Sequence, residues 1–464
     1  MTSTLIQSSA VQSLTAPTIH RLSNGLTIVA EQLPVDAVSL NIWLNVGSAV
    51  EPDEINGMAH FLEHMVFKGT DRLQSGEFER RVEERGAVTN AATSQDYTHY
   101  YITTAPKDFA DLAPLQIDVV MNPSIPDDGF ERERHVVLEE IRRSQDNPRR
   151  RTFQHATELT FDRLPYRRQV LGPSSVIEHL APQQMRDFHA RWYRPESVVA
   201  VAVGNLPVDE LIRIVEAGFA RKQGGQRAEG RGQEAEEDAG RQGHGDAENS
   251  KFKIQNSSLL LSPEAPFQTI IRREVTDRSL QQARLVMIWR VPGLNDLPQT
   301  YALDVLASIL SHGRTARLVQ DLRERRGLVS SISVSNMTYQ CQGAFYISAH
   351  LPEENLAVVE ATIAQHIRTL QQDLVTEAEI ARVRTRVANQ FVFGNETPSD
   401  RSGLYGYYQS LMGDLASALT YPAQIQALSP EQLRLAAQRY LSPEAYAAVV
   451  IRPAKGDSEM RSEG

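Results

Sequence analysis

The 464-residue sequence predicts an α+β fold of two tandem homologous domains, each a mainly antiparallel sheet packed with helices, joined by a flexible linker. Three observations carry that expectation. The segment Arg221 to Ser250 contains no Val, Ile, Leu, Met or aromatic residue, so it cannot bury enough apolar surface to offset its ordering entropy. The stretches on either side of it resemble each other in the same order, the signature of an internal repeat. Each half mixes strand and helix patterns without regular βαβ alternation. The boundaries expected are 1–220 for the first domain, 221–257 for the polar linker and 258–464 for the second domain.

The repeat is visible in three pairs of segments. Leu180-Ala-Pro-Gln-Gln-Met-Arg, followed by Trp192 to Val203, matches Leu428-Ser-Pro-Glu-Gln-Leu-Arg, followed at the same spacing by Tyr440 to Ile451. Val82-Glu-Glu-Arg-Gly-Ala-Val matches Arg323-Glu-Arg-Arg-Gly-Leu-Val, and Val38 to Trp43 matches Ala283 to Trp289. Within the first half, Gly25 to Ala30 and Val38 to Val46 alternate like strands. Met58 to Phe67 reads as a helix, and Glu77 to Glu84 as another ended by Gly86. Tyr97 to Thr104 is a β-branched and aromatic strand. Phe130 to Arg143 is an amphipathic helix with Val136, Val137 and Ile141 apolar.

Composition narrows the function classes. A net charge of −10 disfavours nucleic acid and anionic membrane surfaces as partners. No apolar run approaches the ~18 residues of a membrane helix. The single cysteine, Cys341, excludes an intrachain disulfide and thiolate-cluster zinc sites, and suggests a reducing, cytoplasmic location. Met1 to Ile19 lacks the basic and apolar regions of a secretory signal and reads as a frayed terminus.

The chemistry lies in His60-Phe-Leu-Glu63-His64. An i, i+4 spacing puts both imidazoles on one helix face about a turn apart, where they can bind one ion from one side. Glu63 lies beside the same face. This is the H-x-x-E-H arrangement of inverted zincins. The flanking Met58, Phe61, Leu62, Met65 and Phe67 imply a packed helix, in which polar side chains need partners that a metal would supply. A third ligand is then required. The helix Phe130 to Arg143 offers Glu131, Glu133, Glu139 and Glu140, and spacing alone does not choose among them. Glu133 and Glu140 share a face two turns apart. The plain alternative is an ordinary solvated acidic helix.

Gly57-Met-Ala-His-Phe-Leu-Glu-His-Met-Val-Phe-Lys-Gly-Thr70 resembles the zinc-binding helix of the pitrilysin-type metallopeptidases, the M16 family, and the short two-domain chain resembles its processing-peptidase branch. Asn24-Gly-Leu-Thr, the stretch Gly86, Asn90-Ala91, Thr93, Asp96, Thr98 and Tyr100, and Arg134-His-Val-Val-Leu-Glu-Glu-Ile extend the likeness over nearly the whole chain. The resemblance implies Glu140 as third zinc ligand, Glu133 as its supporting carboxylate, and a second half that has lost the motif. It also implies an Arg and a Tyr presented to substrate, for which Arg401 and Tyr408 have the spacing, and a sheet edge at Asn90 and Ala91 that takes a peptide as an added strand. Leu164 and Ala49 depart from the family pattern, where His and Arg are common.

The function so expected is zinc-dependent endopeptidase activity on short or unfolded peptides. One Zn²⁺ per subunit would sit on His60, His64 and Glu140, with Glu63 as general base and Arg401 and Tyr408 steadying the substrate. The expected assembly is a homodimer sharing its active sites. The alternative is a non-catalytic subunit, or one half of a heterodimer with a related chain.

Overall fold

The computed structural model describes residues 16–220 and 262–454; the expected linker at 221–257 lies outside the described residues. The first part carries a six-stranded sheet of order β1-β2-β6-β3-β5-β4, from β1 (Thr18–Arg21), β2 (Thr27–Gln32), β3 (Val38–Leu44), β4 (Val88–Thr93), β5 (Thr98–Thr104) and β6 (Val198–Gly204). The second carries five strands in the order β7-β11-β8-β10-β9, from β7 (Ile271–Asp277), β8 (Ala283–Pro292), β9 (Ser331–Met337), β10 (Gln342–Leu351) and β11 (Ala447–Pro453). Both sheets are antiparallel except for one parallel pair each, β2 with β6 and β7 with β11. Without β1 the two orders superpose strand for strand. The segments paired in the sequence occupy equivalent places: Val38 to Trp43 in β3 and Ala283 to Trp289 in β8, the Val-rich runs in β6 and β11.

Burial explains the strand patterns. β3 and β6 are buried at every residue because both faces of the first sheet are covered. β4, at the edge, alternates exposed and half-buried residues, and β5 beside it alternates buried and half-buried ones. On one face lie α1 (Met58–Met65), α2 (Glu77–Glu84), α3 (Pro106–Met121) and α4 (Asp127–Asp146), packed around Phe61, Phe109, Ile117 and Phe130. α4 is longer than its apolar pattern suggests. Its first turn carries Asp127 and Asp128, favourable at a helix N-terminus. It stops at Asn147, which precedes Pro148 and caps α5 (Pro148–Thr160) by accepting the Arg149 amide.

The other face of each sheet is covered by a helix from the opposite half. The helix Pro398–Met412 lies on β3 and β6, where Tyr405 packs with Val29, Trp43, Val201 and Val203. α5 lies on the second sheet, where Ala156 packs with Val286, Ile288 and Tyr346. Gly406 permits the first contact, since a Cβ there would come within 2.0 Å of the Trp43 indole nitrogen. Buried charges pin the second: Arg290 of β8 meets Glu264 at 2.8 Å and donates to the Thr160 carbonyl at the end of α5.

Candidate metal centre

α1 begins at Gly57, whose φ of 100° is left-handed and whose missing Cβ leaves room for the Leu171 carbonyl. Its first amides are held by Glu51. This carboxylate, 2% exposed, accepts from the Gly57 and Ala59 amides at 2.8 and 2.7 Å and from the Asn56 side chain at 2.9 Å. Burial pushes Glu51 up to about 7 in spite of those bonds. The apolar face of α1 (Met58, Phe61, Leu62, Met65) is buried, which turns the other face, with His60 and His64, toward α4.

Glu140 of α4 meets both rings. Its Oε2 lies 3.5 Å from His60 Nε2 and 3.6 Å from His64 Nε2. Among the described residues, this is a group of three potential ligands whose donor atoms all lie within 4.8 Å of one another. The separations exceed hydrogen-bond length, so the three atoms face a common point rather than bonding each other. Two imidazoles and one carboxylate, with no thiolate, suit a catalytic zinc. On the far side of the ring, His64 Nδ1 is 3.0 Å from Glu133 Oε1, and the other oxygen of Glu133 is 2.7 Å from Lys68. This partner fixes the ring so that Nε2 points inward.

The protonation of the cluster follows from its surroundings. Burial, then the neighbouring His64, lowers His60 to about 4, so its ring is neutral and ready to ligate. Burial also opposes charge on His64, but Glu133 and Glu140 outweigh it and raise that ring to about 9. Glu63 is raised by burial. It is anchored by Thr93, whose hydroxyl donates to Glu63 Oε2 at 2.5 Å. Thr93 ends the edge strand β4, so the carboxylate sits where that edge meets α1.

The structure thus brings His60, Glu63, His64, Glu133 and Glu140 together. Glu139 points away, paired with Arg142 and Arg143 on the exposed side of α4. Asn90 and Ala91 lie on β4, which among the described residues pairs only with β5; the Ala91 amide is held by the Asn90 side chain at 2.9 Å. Arg401 and Tyr408, expected to face substrate across a dimer, lie on the helix Pro398–Met412. Arg401 donates to Glu31 of β2 at 2.6 Å and to the Asn395 carbonyl, and its side chain is 12% exposed. Tyr408 packs between the two cores. Seven residues apart, they share one face of the helix Pro398–Met412, and that face is spent on joining the halves. Among the described residues, neither contacts the cluster of its own chain. Glu51 and Lys68 were not foreseen. Lys68 stands four residues after His64, a spacing that could have signalled it; Glu51 had no such signal.

Comparison with known proteins shows the family and the fold. Residues 27–174 match the family model described as insulinase (peptidase family M16), and residues 179–387 match the peptidase M16 inactive domain. A Mycobacterium tuberculosis protein named an uncharacterized zinc protease is 30% identical over 94% of this chain and 93% of its own length. A Bacillus subtilis protein of like name, YmxG, is 26% identical over 94% of this chain and 98% of its own. In fold, the chain is similar to a protease from Helicobacter pylori (TM-score 0.81, 23% identity, 94% and 99% covered). It is also similar to a peptidase M16 inactive domain structure from Pseudomonas fluorescens (TM-score 0.77, 19% identity, 95% and 98% covered).

Proposed function

The chain belongs to the M16 family of zinc peptidases, and on that premise we propose that it is an active endopeptidase hydrolysing short or unfolded peptides. The observation that carries this reading is the convergence of His60, His64 and Glu140 on one point, with Glu63 beside it and anchored to a sheet edge. Those three residues would hold the zinc ion. When bound, the ion supplies Lewis acidity to the scissile carbonyl and to water.

The remaining chemistry falls to the chain's own groups. Glu63 accepts a proton from the attacking water and delivers it to the departing amine, a role suited to a carboxylate whose affinity for protons burial has raised. Thr93 holds that carboxylate in place. An extended peptide adds along β4 and takes over the Ala91 amide once the Asn90 side chain swings aside. Because recognition uses backbone groups, folded substrates are excluded. The names of the Mycobacterium and Bacillus relatives, uncharacterized zinc proteases, support the reading. A homodimer remains part of the proposal, but its shared site rested on Arg401 and Tyr408, and the groups proposed here all come from one chain.

The test is cleavage of an unstructured peptide library, followed by mass spectrometry, with metal content measured on the same sample. One zinc per chain and chelator-sensitive cleavage are expected. Full activity in metal-free protein would refute the proposal, and stoichiometric zinc without cleavage would favour a non-catalytic subunit.

A further inference from the structure

Beyond the metal cluster lie two adjoining cavities that share Arg149 and Phe153. The nearer, about 410 Å³, is lined by Gln95, by Arg150 and by Ser144, one turn beyond Glu140 on α4. Arg150 is close enough to act electrostatically on His60 and Glu140. The farther, about 430 Å³, lies between α5 and the second sheet. Here the strand register sets Ser331, His350 and Arg284 in one row across β9, β10 and β8, and Ser333 and Ser348 in the next. Arg149, from the first turn of α5, completes the lining.

In a chain of net charge −10, neither cavity is lined by a carboxylate among the described residues. The nearby Asp277 is committed to Arg151 and Ser279. Among the described residues, Arg284 makes one side-chain bond, to the Thr152 hydroxyl, which is uncharged. Burial, then the neighbouring Arg149, lowers the proton affinity of Arg284; burial, then Arg284 and Arg149, lowers that of His350. Two guanidinium groups face the same half-enclosed space with no anion between them. A carboxylate offers the planar acceptor pair that a guanidinium binds best, and serine hydroxyls supply further donors.

We propose that the farther cavity is a subsite for a carboxylate of the peptide substrate, held by Arg149 and Arg284 with the serines of β9 and β10 around it. It gives the peptidase a preference for chains bearing an acidic group a few residues from the scissile bond. The proposal rests on the peptidase reading for its meaning, but its binding is measurable without turnover. The carboxylate is either an acidic side chain or the C-terminus of the peptide.

The experiment uses the full chain carrying Glu63→Gln, loaded with zinc, and three fluorescent peptides of one sequence. One has Glu and an amidated end, one Gln and a free end, and one Gln and an amidated end. Anisotropy should show at least one carboxylate-bearing peptide binding about tenfold tighter than the doubly neutral one, the size of a lost charge-assisted bond. Which peptide gains identifies the source of the carboxylate. Arg149→Gln should abolish the gain, and Arg149→Glu should invert it. Arg149 is exposed and makes no side-chain hydrogen bond among the described residues, so both variants should fold. In the wild-type enzyme, Arg149→Gln should raise KM for the preferred peptide and leave kcat unchanged. Equal affinity for all three peptides, or a gain that survives Arg149→Glu, overturns the subsite. Absence of cleavage with the binding preference intact overturns only the peptidase reading.

Discussion

Glu63, Glu139 and Glu140 are chemically alike and differ only in where their oxygens point. Glu63→Gln removes the proton acceptor and keeps every ligand, so zinc should stay stoichiometric while turnover falls by ~10²–10⁴-fold. Glu140→Gln should lose metal instead. Glu139→Gln should change neither, because its arginine partners are exposed to solvent. Metal analysis beside peptide cleavage separates the three. A different carboxylate, Asp304 in the helix Tyr301–Ser311, predicts a pH effect on stability. Burial raises it from 3.8 to about 6, although Asn336 and Tyr421 donate to it. The folded form therefore binds the proton more tightly than the unfolded one, and stability falls as pH rises from about 4 to 6. Asp304→Asn can keep both contacts without the charge. It should flatten that slope and add on the order of 1–3 kcal/mol above pH 6, read from denaturation curves at several pH values.

At the scale of elements, α1 depends on Glu51 as much as on its own sequence. Glu51→Ala leaves the Gly57 and Ala59 amides without their acceptor in a buried place, at roughly 1–3 kcal/mol for each unsatisfied group. Both melting temperature and zinc affinity should drop, since the same amides start the helix that presents His60. The helix Pro398–Met412 makes a contrasting case. If Arg401 joins the halves, Arg401→Met should destabilise by about 3–5 kcal/mol, because Glu31 is left as a buried, unpaired charge. Adding Glu31→Met should recover much of the loss. Tyr408→Phe should keep peptide cleavage near wild type. A Tyr408→Phe enzyme that folds normally and has lost turnover would instead restore the substrate-contact role.

At the scale of the molecule, the two halves are cross-braced, each lending a helix to the other's sheet. The first half alone would expose Trp43, Val201 and Val203 on one side and the apolar face of α5 on the other. Residues 1–220 produced alone should aggregate, and co-production with residues 262–464 should yield a soluble complex on size exclusion. The farther of the two cavities exists only because of this bracing, since α5 forms one wall and β8 to β10 the other.

The sequence determined the local features. Strand alternation, the H-x-x-E-H face and the two-turn spacing of Glu133 and Glu140 are properties of short segments, whose periodicity fixes which side chains share a face. The order of repeated segments determined the repeated topology for a similar reason, because equal segments form equal strands. Spacing within α4 could not choose Glu140 over Glu139; the family likeness made that choice, and the packing of α4 on α1 shows its basis. The tertiary structure also decided which groups Arg401 and Tyr408 meet within the chain. An exposed pair and a half-buried pair look the same along one helix, and what differs is the sheet lying against it. Glu51 was hidden because its partners are chiefly backbone amides, which no side-chain pattern marks. The arginine-lined farther cavity was hidden because α5 and the strands β8 to β10 are distant in the chain, and only folding sets those charges side by side.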